Sequence, residues 1–123
     1  VRVRPLRRLL ESALPLLPRP LPADLTSIEF VLVDRATMAR VHADFLNDPT
    51  ETDVITFPYG EIVICPAVAR EQSPHFGLEV GHEVLLYGIH GLLHLAGYDD
   101  QTEKEAREMA RIQQQLLDRI RNF

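Results

Sequence analysis

Two histidines four residues apart, His90 and His94, stand inside the apolar run from Val84 to Ala96. Residues at that spacing lie on one face of an α-helix, one turn apart, so both imidazoles can aim at a single point. Burying two imidazoles side by side among leucines is costly unless something polar lies between them, and a metal ion supplies it. Two side chains hold an ion weakly, so a third ligand is expected. Gly97 lets the chain reverse past the helix end, which can swing Asp100 back toward the same point. The spacing therefore predicts a two-histidine, one-carboxylate site of His90, His94 and Asp100 for one divalent metal ion, zinc first. Asp100 has a competing assignment, because Asp100 and Glu103 have the spacing of a capping box. Thr102 and Glu105 share that spacing and can cap the helix instead.

Other chemically capable residues are less well placed. His82 precedes His90 by two turns, about 12 Å at 1.5 Å per residue, too far to share an ion. Glu83, seven residues before His90, falls on the ligand face, where orienting a ligand and being an ordinary buried-edge carboxylate are equally open. His42 and His75 show no partner pattern and are read as surface or structural residues. Asp99 is a conceivable base, with a turn-stabilising aspartate the simpler assignment. Cys65, in Ile62-Val63-Ile64-Cys65, reads as a small buried side chain, since nothing nearby in sequence lowers its thiol pKa. No catalytic residue and no organic-cofactor site is assigned.

The elements that must position this site can be read along the chain. Pro5 suits the first turn of a helix carrying Leu6, Leu9, Leu10, Ala13 and Leu14, which Pro15 and Pro18 stop. Ser27 to Val33 reads as a strand, followed by Asp34 as an N-cap and a helix with Met38, Val41 and Phe45. Asp53 to Phe57 and Glu61 to Cys65 read as a hairpin around Pro58-Tyr59-Gly60. From about Leu78 a helix apolar nearly all round is predicted, ended by Gly97. A last helix starts near Thr102, with Ala106, Met109, Ala110, Leu116, Leu117 and Ile120 as its inner stripe. The fold class expected is α+β: a small mixed sheet of three or four strands surrounded by helices, with the metal site on a central buried helix. Val1-Arg2-Val3 is the candidate fourth strand.

The chain has 123 residues, 46% hydrophobic and 25% charged, which suits one globular domain over residues 1–123. Its net charge of −5 argues against wholesale coating of nucleic acid, although Arg2, Arg4, Arg7, Arg8 and Arg19 concentrate positive charge near the start. No apolar run approaches the ~20 residues of a membrane span, so no membrane partner is expected. The leading VRVRPLRRLLESALPLLPRPLP is interrupted by Glu11, Pro15 and Pro18 and reads as no export signal. With one cysteine, a reducing, cytoplasmic location is expected.

The stretch HGLLHLAGYDD is similar to the signature of the YbeY endoribonucleases: His-Gly, two residues, His-Leu, one residue, Gly-Tyr-Asp-His. Thr52 to Pro58 and Gly60 to Cys65 resemble that family's two strand blocks in the same order, with Phe45-Leu46-Asn47 before them. The resemblance covers most of the chain from about Ser27. It implies a metal-dependent endoribonuclease acting on single-stranded RNA in ribosomal RNA maturation and ribosome quality control. The implied partners are ribosomal RNA and the small ribosomal subunit with its proteins, and DNA is not among them. His90 and His94 match the first two metal ligands of the family, and Asp100 stands where it has a third histidine. An anionic ligand cancels one unit of metal charge, which weakens activation of bound water and makes manganese or magnesium more competitive. The family's arginine shortly after the Leu-Asn pair is absent here. Arg35, Arg40 and Arg70 are the candidates to replace it in space, and none is assigned. For stacking on bases the candidates are Phe57, Tyr59 and Tyr98, residues that more often serve as core than as platform.

Two other readings compete. One is a non-catalytic ribosome-associated factor whose metal is structural, motivated by the absent arginine and the acidic charge. The other is a zinc metalloprotease, because His-x-x-x-His-x-x-Gly-x-x-Asp reproduces metzincin ligand spacing. Those proteases carry a general-base glutamate directly after the first histidine, where this chain has Gly91.

Overall fold

The computed structural model describes residues 3–46, 53–72 and 80–121, with side chains described except at 3–6, 46, 69, 70, 72, 80, 81 and 121. The first helix, α1, spans Val3–Ala13 and buries Leu10 and Ala13. Val3 is thus helical rather than an edge strand, in keeping with Pro5 in the opening turn, while Val1 and Arg2 lie outside the described residues. Pro15 falls within a 3-10 turn, Leu14–Leu16, that closes the helix.

Strand β1 (Glu29–Leu32) leads to helix α2 (Arg35–Leu46). Asp34 caps α2 as expected, its Oδ1 accepting the Thr37 amide at 2.7 Å. That hydrogen bond is the main reason the Asp34 carboxyl lies below its ordinary pKa. Strands β2 (Val54–Phe57) and β3 (Glu61–Ile64) form the expected antiparallel hairpin. Gly60 closes its turn at φ +111°, and its amide donates to the Phe57 carbonyl at 2.9 Å. β1 pairs with β3 in parallel, Phe30 opposite Ile62, so the mixed sheet has the order β1-β3-β2 and three strands among the described residues.

Helix α3 (Pro66–Gln72) follows β3 at once and was not anticipated from sequence. Pro66 fits the first helical position, and Val68 is the buried anchor. Helix α4 (Val80–Leu95) packs on α1, α3, α5 and two strands, which explains its all-round apolar character. The last helix, α5 (Glu103–Arg121), begins with the predicted capping box: the Thr102 amide donates to Glu105 Oε1 and the Glu105 amide to Thr102 Oγ1, both at 3.1 Å. Its buried stripe is Met109, Ile112, Leu116, Leu117 and Ile120, while Ala110 is exposed because it lies ~100° round the helix from Met109.

Alternation along β3 divides the core. Ile62 and Ile64 join Leu10, Ile89, Leu92, Leu93 and the α5 stripe, whereas Val63 and Cys65 join Met38, Ile55 and Val68. Cys65 is a buried thiol, as its run implied. Among the described residues no helix is long and apolar enough to cross a membrane.

Candidate metal centre

The end of α4 is shaped by a reversal that sequence spacing foreshadowed. Gly97 adopts φ +97°, its amide donates to the His94 carbonyl and the Tyr98 amide to the Leu93 carbonyl, both at 3.0 Å. This pair of bonds is a Schellman closure, and it turns the chain back so that Tyr98 seats in the main core. Asp99 Oδ1 then accepts the Asp100 amide at 2.8 Å, which stabilises the turn. The consequence is that Asp100 returns to the two histidines.

The geometry is compact. The two Nε2 atoms are 3.1 Å apart, and Asp100 Oδ2 lies 3.5 Å from His90 Nε2 and 3.6 Å from His94 Nε2. Ligand atoms ~2.0–2.1 Å from a tetrahedral zinc stand about 3.3 Å apart, so the triangle has the size of one tetrahedral face. Hydrogen bonding settles what the three atoms offer. His90 Nδ1 meets Gln113 Oε1 at 3.0 Å and His94 Nδ1 meets the Tyr98 carbonyl at 3.1 Å. Carbonyl oxygens only accept, so each Nδ1 is the donating nitrogen, and in the neutral form of the ring Nε2 is left with its lone pair facing the other two atoms. Burial, the largest influence on His90, pushes its pKa below the ordinary value and favours that neutral form. Three potential ligand atoms within 3.6 Å of one another fit a bound cation.

Among the described residues this is the one group of histidine, cysteine and carboxylate atoms close enough to hold a metal. His82 and Glu83 do not join it. Glu83 is buried one turn before Tyr87, whose hydroxyl pKa is pushed up to about 12 by burial, then by Asp53 and Glu83. His75 lies outside the described residues. His42 is half-buried and lines the same open cavity of about 870 Å³ as Phe45, Phe57 and the triad.

Neither Arg35 nor Arg40 lines the cavity. Arg35 is tied to the Ala67 carbonyl and to Glu71 on α3, and Arg40 contacts Thr37 within its own helix. The Arg70 side chain lies outside the described residues. Two residues near the site were missed from sequence. Gln113 comes from α5, and Arg19 covers the Tyr98 ring at 4.0 Å while donating to the Gly97 carbonyl at 3.3 Å. Tyr98 is therefore a covered core ring and not a free stacking surface.

Comparison with known proteins adds a second line. Residues 3–121 match the family model described as Endoribonuclease YbeY. An Endoribonuclease YbeY of Renibacterium salmoninarum is 38% identical over 109 residues, covering 75% of this chain and 69% of its own length. That of Rhodococcus opacus is 38% identical over 110 residues, covering 74% of this chain and 61% of its own length. A solution structure of a Thermotoga maritima protein superposes with a TM-score of 0.68 at 30% identity, over 94% of this chain and 79% of that one.

Proposed function

The chain belongs to the Endoribonuclease YbeY family, and on that premise we propose that it is a metal-dependent endoribonuclease cutting single-stranded RNA in ribosomal RNA maturation. Residues 1–123 act in this reading as one metalloprotein domain, with His90, His94 and Asp100 as ligands of one divalent ion, zinc by preference. The observation that carries it is the triangle of potential ligand atoms at 3.1, 3.5 and 3.6 Å, backed by Gln113 and the Tyr98 carbonyl. When bound, such an ion polarises a phosphoryl oxygen and neutralises charge on the scissile phosphate. The protein's own part is to hold both imidazoles with Nε2 forward, to set Asp100 through the Gly97 turn, and to leave one side of the triad open to the cavity. In the cell the partners are ribosomal RNA and the small ribosomal subunit with its proteins, in the cytoplasm, with neither DNA nor membrane involved.

A second reading keeps the same metal as a structural tie in a non-catalytic ribosome-associated factor. What favours it is that no arginine among the described residues lines the cavity. The protease reading loses ground, because Gly91 follows His90 and faces Ile62 in the core, where no general base can stand.

The deciding experiment is cleavage of a short single-stranded RNA by metal-reconstituted protein, beside His90→Ala purified identically and a chelator control. Chelator-sensitive cutting lost in the variant is expected. Failure to cut with zinc, manganese or magnesium, in folded and metal-loaded protein, overturns the nuclease reading in favour of the structural one.

A further inference from the structure

Phe45 at the end of α2 and Tyr59 in the β2–β3 turn are the exposed large hydrophobic residues among those described, each 65% exposed. Phe57 lies between them. Its ring meets Phe45 edge-on at a centroid distance of 5.2 Å and an angle of 75°, and lies nearly parallel to Tyr59 at 5.4 Å and 22°. Phe57 is rooted against the Ile55 and Val63 side of the core, and the Tyr59 hydroxyl donates to Glu61 Oε1 at 2.6 Å. Both anchors hold the rings in place without covering them. Phe45 and Phe57 also wall the cavity that holds His90, His94 and Asp100, so an aromatic strip runs from the triad out to the turn.

We propose that Phe45, Phe57 and Tyr59 form the platform on which unpaired bases of the RNA stack on one side of the bond to be cut. The proposal rests on the nuclease reading above and names how that site holds its substrate. Two features favour RNA bases over a protein partner. The strip opens into the triad's cavity, so a strand reaching the triad from that side passes over it. No lysine or arginine among the described residues lines the cavity, so a strand held there must be gripped by its bases more than by its backbone phosphates. Flat rings, in contrast, accept any base face, and one stacked base is worth roughly five- to a hundredfold in affinity. A duplex keeps its base faces inside the helix, so the platform selects single strands with little regard to sequence.

The test uses the full chain and short RNAs carrying 2-aminopurine at successive positions, as single strands and as duplexes. Stacking is expected to quench the probe at one or two positions in the single strand and at none in the duplex. Phe45→Leu and Tyr59→Leu keep apolar bulk at exposed positions while removing the ring, and each should raise KM at least fivefold with kcat nearly unchanged. Tyr59→Trp should restore it. Cutting with KM unaltered in both leucine variants and no quenching assigns the strip to a protein partner and overturns the proposal while sparing the nuclease reading. Quenching without cutting by any metal does the reverse, and absence of both removes both.

Discussion

Each imidazole of the triad is oriented through its second nitrogen, and the two partners are of different kinds. The Tyr98 carbonyl is fixed by the same turn that places Asp100, whereas Gln113 reaches His90 from another helix through a side chain alone. Gln113→Ala should therefore weaken metal binding 10- to 100-fold without unfolding the protein, as loss of such supporting bonds does elsewhere, read by competition with a chromophoric chelator. Acidity acts on the same residue. Burial holds His90 below its ordinary pKa of 6.5, so between the folded value and 6.5 the unfolded chain binds more protons. His90 therefore contributes stability to the metal-free protein that is present above 6.5 and lost as pH falls through the folded value. Urea midpoints of metal-free protein should fall on acidification through this window, more steeply than in His90→Ala. That His90, His94 and Asp100 come together was legible in the sequence, because helical spacing and one glycine position them. Gln113 was not, since glutamine bears no signature and lies 23 residues from its partner.

Among the elements, Gly91 decides how closely α4 can lie on the sheet. A Cβ at Gly91 would come within 2.7 Å of Ile62 Cγ2, and Ile62 is fully buried with little rotamer freedom. Gly91→Ala gains ~1 kcal/mol of helix propensity, against overpacking of about 1–3 kcal/mol, so a net loss of about 1 kcal/mol is expected in chemical denaturation. Gly97 is the opposite case. Nothing lies within 4 Å of a Cβ there, yet φ is +97°, so Gly97→Ala should cost ~1–2 kcal/mol through the backbone alone. It should also loosen the turn to Asp100 and weaken metal binding, whereas Gly91→Ala acts first on stability. Long elements with capping residues were readable in advance. Helix α3 was not, because seven residues are too short to show a helical period, and Pro66 is the sole local cue. Nor does a sequence announce that β1 pairs in parallel with β3, a contact made across an intervening helix and strand.

At the scale of the whole molecule the proposed metal site would be a tie. Two of its residues belong to α4 at the centre of the fold, and the third stands in the turn that leads into α5, whose stripe closes the same core. An ion that binds only the folded arrangement stabilises it by RT ln(1 + [L]/Kd), about 2.7 kcal/mol at a hundredfold excess over Kd. For a chain of this size that corresponds to a rise in Tm on the order of 10 °C. Adding zinc to chelator-treated protein should produce a shift of that order, and the same addition to His90→Ala or Asp100→Ala should produce almost none. The comparison also separates the ligands from their surroundings. Gln113→Ala should show a smaller shift than the unaltered protein even at high zinc, by about 1.4–2.7 kcal/mol for a 10- to 100-fold weaker Kd, yet regain a clear shift as zinc is raised, because its effect is on affinity rather than on the number of ligands. A zinc-induced shift that survives in Asp100→Ala would mean that the turn after Gly97 does not complete the site, and that the third ligand lies elsewhere in the chain.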